Sequence, residues 1–216
     1  MQFALAFQRR DLFIPSFFSG IFSEMDYENA QRVATSRQTP VSIFTHTPYL
    51  VEAVFDPYFL HLIPYTIVAA RKDGELHVFT YQRKDDHPIP ELRGKWSIGI
   101  DSQPSSLPDV NMGMLDILTH HASRSVFDEM GLDLDKESLH RCMSYASFLM
   151  DKSSEFTRSC LGVAHRVNLP SVPRLTPSEN SGVLNGQWLD GETIQQMRED
   201  GLMDTWSEML LEEEFV

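Results

Sequence analysis

Cysteine is scarce: only Cys142 and Cys160 occur in 216 residues, too few for the disulfide framework of a small secreted domain. Neither belongs to a close Cys/His cluster of the kind structural zinc needs. Basic residues are also in short supply. Eighteen Lys and Arg stand against 31 Asp and Glu, a formal net charge of −13. Such a surface repels phosphate backbones and anionic lipid, which argues against general nucleic-acid or membrane binding through a basic face. No apolar run approaches the roughly twenty residues of a membrane span. The short apolar run at 3–7 is followed, not preceded, by Arg9 and Arg10, the reverse of a secretory leader, so the expected compartment is the cytoplasm. Fixed-period repeats and low-complexity tracts are missing, which sets solenoids and propellers aside.

What is present is ordinary globular material, 42% hydrophobic and 23% charged, long enough to bury a core without covalent staples. The clearest local signal is a hairpin. Residues 62–71 are β-branched and aromatic, Asp73-Gly74 is a turn pair, and residues 75–83 alternate with His77, Phe79 and Tyr81 on one face. Residues 84–90 read as a loop, 96–100 as a short strand and 101–109 as a Pro- and Ser-rich loop. A helix is expected over most of 112–130, stopped by Gly131. Its core stripe is Leu115, Leu118, Ala122 and Val126, with His121, Ser125, Asp128 and Glu129 on a neighbouring polar stripe. Further on, 141–149 and 159–169 read as strands, 169–186 as a long loop, and Asp190 or Gly191 as the start of a helix running through Arg198. Gly201 breaks that helix before a last one around Trp206, Met209 and Leu210. Strands flanking a central helix, with more helix at the end, predict a mixed α/β or α+β layer.

The chemistry concentrates on the central helix. Asp128 and Glu129 can hold a hard cation such as magnesium through oxygen; on composition alone the simpler expectation is a solvated Asp-Glu pair on an exposed helix face. Asp116, twelve residues earlier, is about 18 Å away along a continuous helix and joins them only if the chain there folds back. His121 lies one turn before Ser125; as a ligand it would favour zinc, manganese or iron. The simpler expectation for His120 and His121 is ordinary surface or half-buried imidazoles. Arg83, Arg93 and Lys95 bracket the expected cleft and are candidates for phosphate contact. His165 reads as a satisfied core histidine, and both cysteines as reduced thiols.

Val110, Asp116, Arg124-Ser125-Val126-Phe127-Asp128-Glu129, Gly131 and Leu132 resemble a worn copy of the Nudix box, Gly-x5-Glu-x7-Arg-Glu-U-x-Glu-Glu-x-Gly-U with U a bulky aliphatic. The resemblance extends to His61-Leu62-Ile63-Pro64-Tyr65, Tyr81-Gln82-Arg83, residues 92–100, Leu161-Gly162-Val163-Ala164-His165, Gly186-Gln187-Trp188-Leu189 and Trp206-Ser207-Glu208-Met209-Leu210. These segments are similar, in order and spacing, to the MutT-type predicted phosphoesterase branch of that superfamily. Even Arg10-Asp11-Leu12-Phe13 resembles its start.

The resemblance implies a Nudix-like mixed β-sheet sandwiched between helices over 61–216, with 1–60 as an N-terminal extension packed on it. The aromatics Phe13, Phe17, Phe18 and Phe22 are expected to pack inward. It also implies Mg2+ or Mn2+ as cofactor of an active member, and hydrolysis of a nucleoside diphosphate linked to another group. Asp128 and Glu129 match the paired carboxylates at the helix end, Arg124 the box arginine, and Asp116 the earlier glutamate that braces it.

Three departures converge on that site. Ser125 stands where a glutamate supplies a principal metal ligand, Val110 replaces the box glycine, and Asp101-Ser102-Gln103-Pro104 replaces a Gly-Gly-His-Ile turn. A serine hydroxyl is neutral and short, and side chains and a proline remake a loop that glycines would otherwise let approach a ligand closely. The expectation is therefore a degenerate metal site, non-catalytic or impaired. In that case the chain binds a small nucleotide-type ligand or a protein partner; the alternative is a working metal-dependent pyrophosphohydrolase.

Overall fold

The computed structural model describes residues 4–8, 20–21, 42–44, 59–87, 89–101, 114–143, 147–151, 153, 157–176 and 183–212. The expectations for Ser102, Gln103, Pro104, Val110, Phe13, Phe17, Phe18 and Phe22 lie outside them, as does the side chain of Leu115. The described strands are β1 (Ala4–Gln8), β2 (Gly20–Ile21), β3 (Ser42–Phe44), β4 (Phe59–Lys72), β5 (Glu75–Arg83), β6 (Trp96–Ser97), β7 (Gly99–Asp101), β8 (Ser147–Met150), β9 (Cys160–Leu169) and β10 (Val183–Asp190). The helices are α1 (Met114–Met130), α2 (Lys136–Met143), α3 (Gly191–Glu199) and α4 (Thr205–Glu212).

All ten strands join one mixed sheet with the backbone order β10-β5-β4-β9-β8-β2. β4 is its spine. One edge runs parallel to β9 from His61↔Cys160 to Ala70↔Leu169. The other edge is shared antiparallel by β1 at 59–61, β7 at 65–67 and β5 at 69–72. Pro64 falls in the gap between β1 and β7, where this edge has no ladder among the described residues to lose a donor from. β4 and β5 turn through Asp73 and Gly74, both at positive φ (53° and 91°), the geometry that a two-residue hairpin of the right twist demands.

The period-two alternation of β4 sorts its side chains onto two cores. Ile63, Tyr65, Ile67 and Ala69 pack with Val78, Ile98, Ile194, Met203, Trp206 and Leu210 beneath α3 and α4. Val68 packs with Phe79, Tyr81, Ile100, Val126, Met130, Leu139 and Val167 beneath α1 and α2. The sheet is thus covered on both faces, the α+β sandwich expected from the sequence. Leu118, Ala122 and Val126 form the core stripe of α1 as the periodicity predicts.

Three elements differ from expectation. Residues 96–100 are not one strand: β6 pairs with β5, and β7 pairs with β4 and runs on to Asp101. Residues 141–149 are not one strand: α2 occupies 136–143 and only 147–150 is strand. The helix opens at Asp135, whose carboxylate accepts the Ser138 N–H at 2.8 Å, and Glu137 and Arg141 pair across one turn at 3.0 Å. The 169–186 loop also ends early, since β10 starts at Val183 and pairs with β5. Asn185, at φ 49°, sits in a bulge between Leu184 and Gln187, which disguises the strand as a turn sequence. Asp190 caps α3 by accepting from Thr193 N–H at 2.8 Å, as expected.

Candidate functional site

The carboxylate stripe sits at the C-terminal end of α1. Asp128 and Glu129 are both partly exposed there, with Ser125 one turn back and Val126 turned into the core. Arg124 donates to Asp128 at 3.3 Å, an i,i+4 pair with both side chains about half exposed. α1 is continuous from Met114 to Met130, so the fold-back that would bring Asp116 to Asp128 does not occur, and about 18 Å of helix axis separates them. Asp116 instead faces α2, with its Oδ1 3.7 Å from His140 Nε2. The structure therefore brings Arg124, Asp128 and Glu129 together and leaves Asp116 apart. Among the described residues no group of three or more His, Cys, Asp or Glu converges on a metal-ion site.

His121 differs from a surface imidazole. It is only 2% exposed, and its buried Nε2 has no hydrogen-bond partner among the described residues. Burial, with His120 stacked edge-on at 5.4 Å, lowers its pKa to about 4, so the ring is neutral at pH 7. His165 is fully buried on β9, with Nε2 3.1 Å from Thr66 Oγ1 and Nδ1 3.4 Å from the Val163 carbonyl. Burial lowers its pKa to about 4 as well. The tautomer follows: Nδ1–H donates to the carbonyl and Nε2 accepts from threonine. It is a satisfied core histidine, as the sequence suggests.

The basic residues fare differently. Arg93 donates through Nε to the His87 carbonyl at 2.8 Å, and Lys95 through Nζ to the Gly201 carbonyl at 2.7 Å. Arg83, at the end of β5, is 5% exposed and enclosed by carboxylates. It donates through Nη1 to Asp101 at 2.9 Å and through Nη2 to Asp204 at 3.2 Å, with Cζ 5.5 Å from the centroid of the Tyr81 ring. Tyr65 completes the network from β4. Its hydroxyl lies 2.8 Å from Ser97 Oγ and 2.9 Å from Ser207 Oγ, and Asp204 Oδ1 accepts the Ser207 N–H at 2.8 Å at the start of α4. Burial would lower the Arg83 pKa, but the surrounding acids outweigh it and the guanidinium stays charged. Burial likewise pushes the Asp101 carboxyl up, yet Arg83 holds it below its ordinary value. Burial raises the Tyr65 phenol well above its usual range, so it stays protonated.

Beside this network lies a small open cleft, lined among the described residues by Ile63, Arg83, Leu92, Asp101, Thr157, Asp204 and Trp206. Sequence reasoning placed Arg83 at a cleft but missed Tyr65, Ser97, Asp204 and Ser207. Asp204 and Ser207 carry a readable signal, an Asp three residues before a Ser at a helix start, which is a capping spacing. Nothing in the sequence pairs either with Arg83.

No protein-family model matches the chain, and no curated protein matches it. Among solved structures it is similar to Tm1382, a candidate Nudix hydrolase, with a TM-score of 0.63 and 18% identity over 96% of this chain and 95% of that one. It is also similar to a bifunctional NMN adenylyltransferase/ADP ribose pyrophosphatase from Francisella tularensis, complexed with AMP and a manganese ion. That match has a TM-score of 0.51 and 14% identity, covering 88% of this chain and half of the other. At such identities the likeness is one of fold, and the fold is the Nudix fold.

Proposed function

We propose that the protein is a Nudix-fold binding module for a nucleotide-type ligand, a nucleoside diphosphate carrying a further group, whose metal centre is too poor in carboxylates for ordinary turnover. The observation that carries this is the composition of the α1 stripe. Ser125 stands between His121 and Glu129 on it, Asp128 shares its charge with Arg124, and Asp116 faces α2 instead. The fold shared with a chain crystallised with AMP and manganese supports the ligand class.

Magnesium is bound by one or two carboxylates together with phosphate oxygens and waters. Asp128 and Glu129 fit the lower end of that requirement, and a divalent ion held there would neutralise a diphosphate. Glu129 and Asp128 would bind the ion, and Arg124 would orient Asp128. The same fit favours a second reading, a slow metal-dependent pyrophosphohydrolase using these two carboxylates.

Calorimetric titration with Mg2+ and Mn2+, alone and with ADP-ribose, separates the two when paired with product analysis. The binding module gives no measurable metal affinity without nucleotide, saturable nucleotide binding, and no turnover. Replacing Ser125 by Glu returns a third carboxylate and is expected to strengthen metal binding at least tenfold. Hydrolysis of ADP-ribose, a dinucleotide polyphosphate or a nucleotide sugar by the unaltered chain at about 1 s⁻¹ or faster, an ordinary enzyme rate, overturns the proposal.

A further inference from the structure

The segment that follows β9, residues 170–176, is tied down at few points. Pro170 and Pro173 have no N–H to donate. Ser171, Arg174 and Thr176 are exposed. Among the described residues the segment makes one hydrogen bond, from Thr176 N–H to the Met130 carbonyl at 2.9 Å. Its apolar anchor is Leu175, half-buried against the core that holds Val126 and Met130. Exposed side chains, one backbone tie and little buried apolar surface give a segment that opens at a lower cost than global unfolding.

The tie lands on the end of α1. Met130 is fully buried, and its carbonyl is one of the last four that a helix leaves without a partner of its own. The Gly131 N–H closes the last turn onto the Phe127 carbonyl at 2.7 Å. Gly131 has φ 71°, and a Cβ there would run into the Thr176 backbone and hydroxyl, so the segment lies directly against the Gly131 backbone. It thus caps the turn that carries Asp128 and Glu129. If it lifts, the Met130 carbonyl loses its donor and Leu175 leaves the core. The turn closed by Gly131 is then a bare helix end, the part of a helix that frays.

We propose that residues 170–176 are a latch on the carboxylate end of α1. The segment and the last turn of the helix open and close as one local unit, and closing it fixes the direction in which Asp128 and Glu129 point. The latch is a property of the fold and holds whether or not a nucleotide binds at those carboxylates.

The test is amide hydrogen exchange of the full chain, followed residue by residue by NMR without urea and in urea up to about 1 M. The Thr176 and Gly131 amides are expected to share one opening equilibrium, at least about tenfold less protected than the Val126 amide and the β9 amides that donate to β4. Their exchange is expected to change little with urea, because a local opening exposes little surface. Leu175→Ala removes the anchor and is expected to lower the protection of both amides by the same factor, about tenfold. Gly74→Ala, at the hairpin turn where a Cβ meets nothing within 4 Å, is expected to lower the protection of the β9 amides and leave the pair unchanged. If Leu175→Ala does not fold, the urea series on the unaltered chain and the Gly74→Ala comparison decide the matter. A Gly131 amide as protected as that of Val126 while Thr176 exchanges faster overturns the proposal. So do unequal responses of the pair to Leu175→Ala, or a pair that follows the β9 amides in urea.

Discussion

Histidine 165 couples stability to pH. Its pKa is about 4 in the folded protein and near 6.5 in an unfolded chain, so the unfolded state takes up a proton first as pH falls. Stability is therefore complete above about pH 6.5, declines through the window down to about pH 4, and is flat below it. The fully buried His165 contributes about 3 kcal/mol to that decline, and His121 acts in the same direction. Urea denaturation at pH 7.5 and pH 5.0 should show the loss, and His165→Gln should reduce the difference. Arg83 makes a second prediction at this scale. Arg83→Met leaves Asp204 buried without its cation and is expected to cost about 3–5 kcal/mol. Adding Asp204→Leu removes the stranded charge and should recover part of that cost, measured by the same denaturation. His121 also marks where sequence reading stops. A helical wheel gives the direction of a side chain but not the height of its neighbours, so a residue on the polar stripe can still be 2% exposed.

Among the elements, the β4–β5 hairpin, α1 and α3 were legible because each carries its own punctuation: Asp73-Gly74, Gly131 and Asp190. α2 was not, because its cap and its Glu137–Arg141 pair are polar and local, while the strand reading followed β-favouring residues further on. Gly131 shows why the stop of α1 is so firm. It has φ 71°, and a Cβ there would run into the Thr176 carbonyl and hydroxyl. Thr176 N–H in turn donates to the Met130 carbonyl at 2.9 Å. Gly131→Ala is expected to cost about 2 kcal/mol or more. Gly74→Ala, also at positive φ but with open space around it, is expected to cost about 1 kcal/mol. The two melting temperatures should fall in that order.

For the whole molecule, strands flanking a central helix with more helix at the end made a mixed α+β layer readable, and the ordered run of segments pointed to the Nudix fold that the solved structures share. The Arg83 network was not readable, since Asp101 and Asp204 lie 18 and 121 residues away from the cation they bracket. Sequence gives charge along the chain, whereas pairing across the sheet is decided only when β5, β7 and α4 meet. The excess of acid over base, read as a feature of the surface, thus recurs inside the protein around Arg83, which two carboxylates bracket.

Arg83 reaches Asp204 at the mouth of the last helix, and Tyr65 from the spine of the sheet reaches Ser207 one turn further on. This rivets the C-terminal helix to the centre of the molecule. Peeling that helix away would strand charges and hydroxyls in hydrocarbon on both sides of the break, so it cannot open as an independent flap. Whatever ligand the protein binds, α4 must stay seated on the sheet while the rest of the domain is intact.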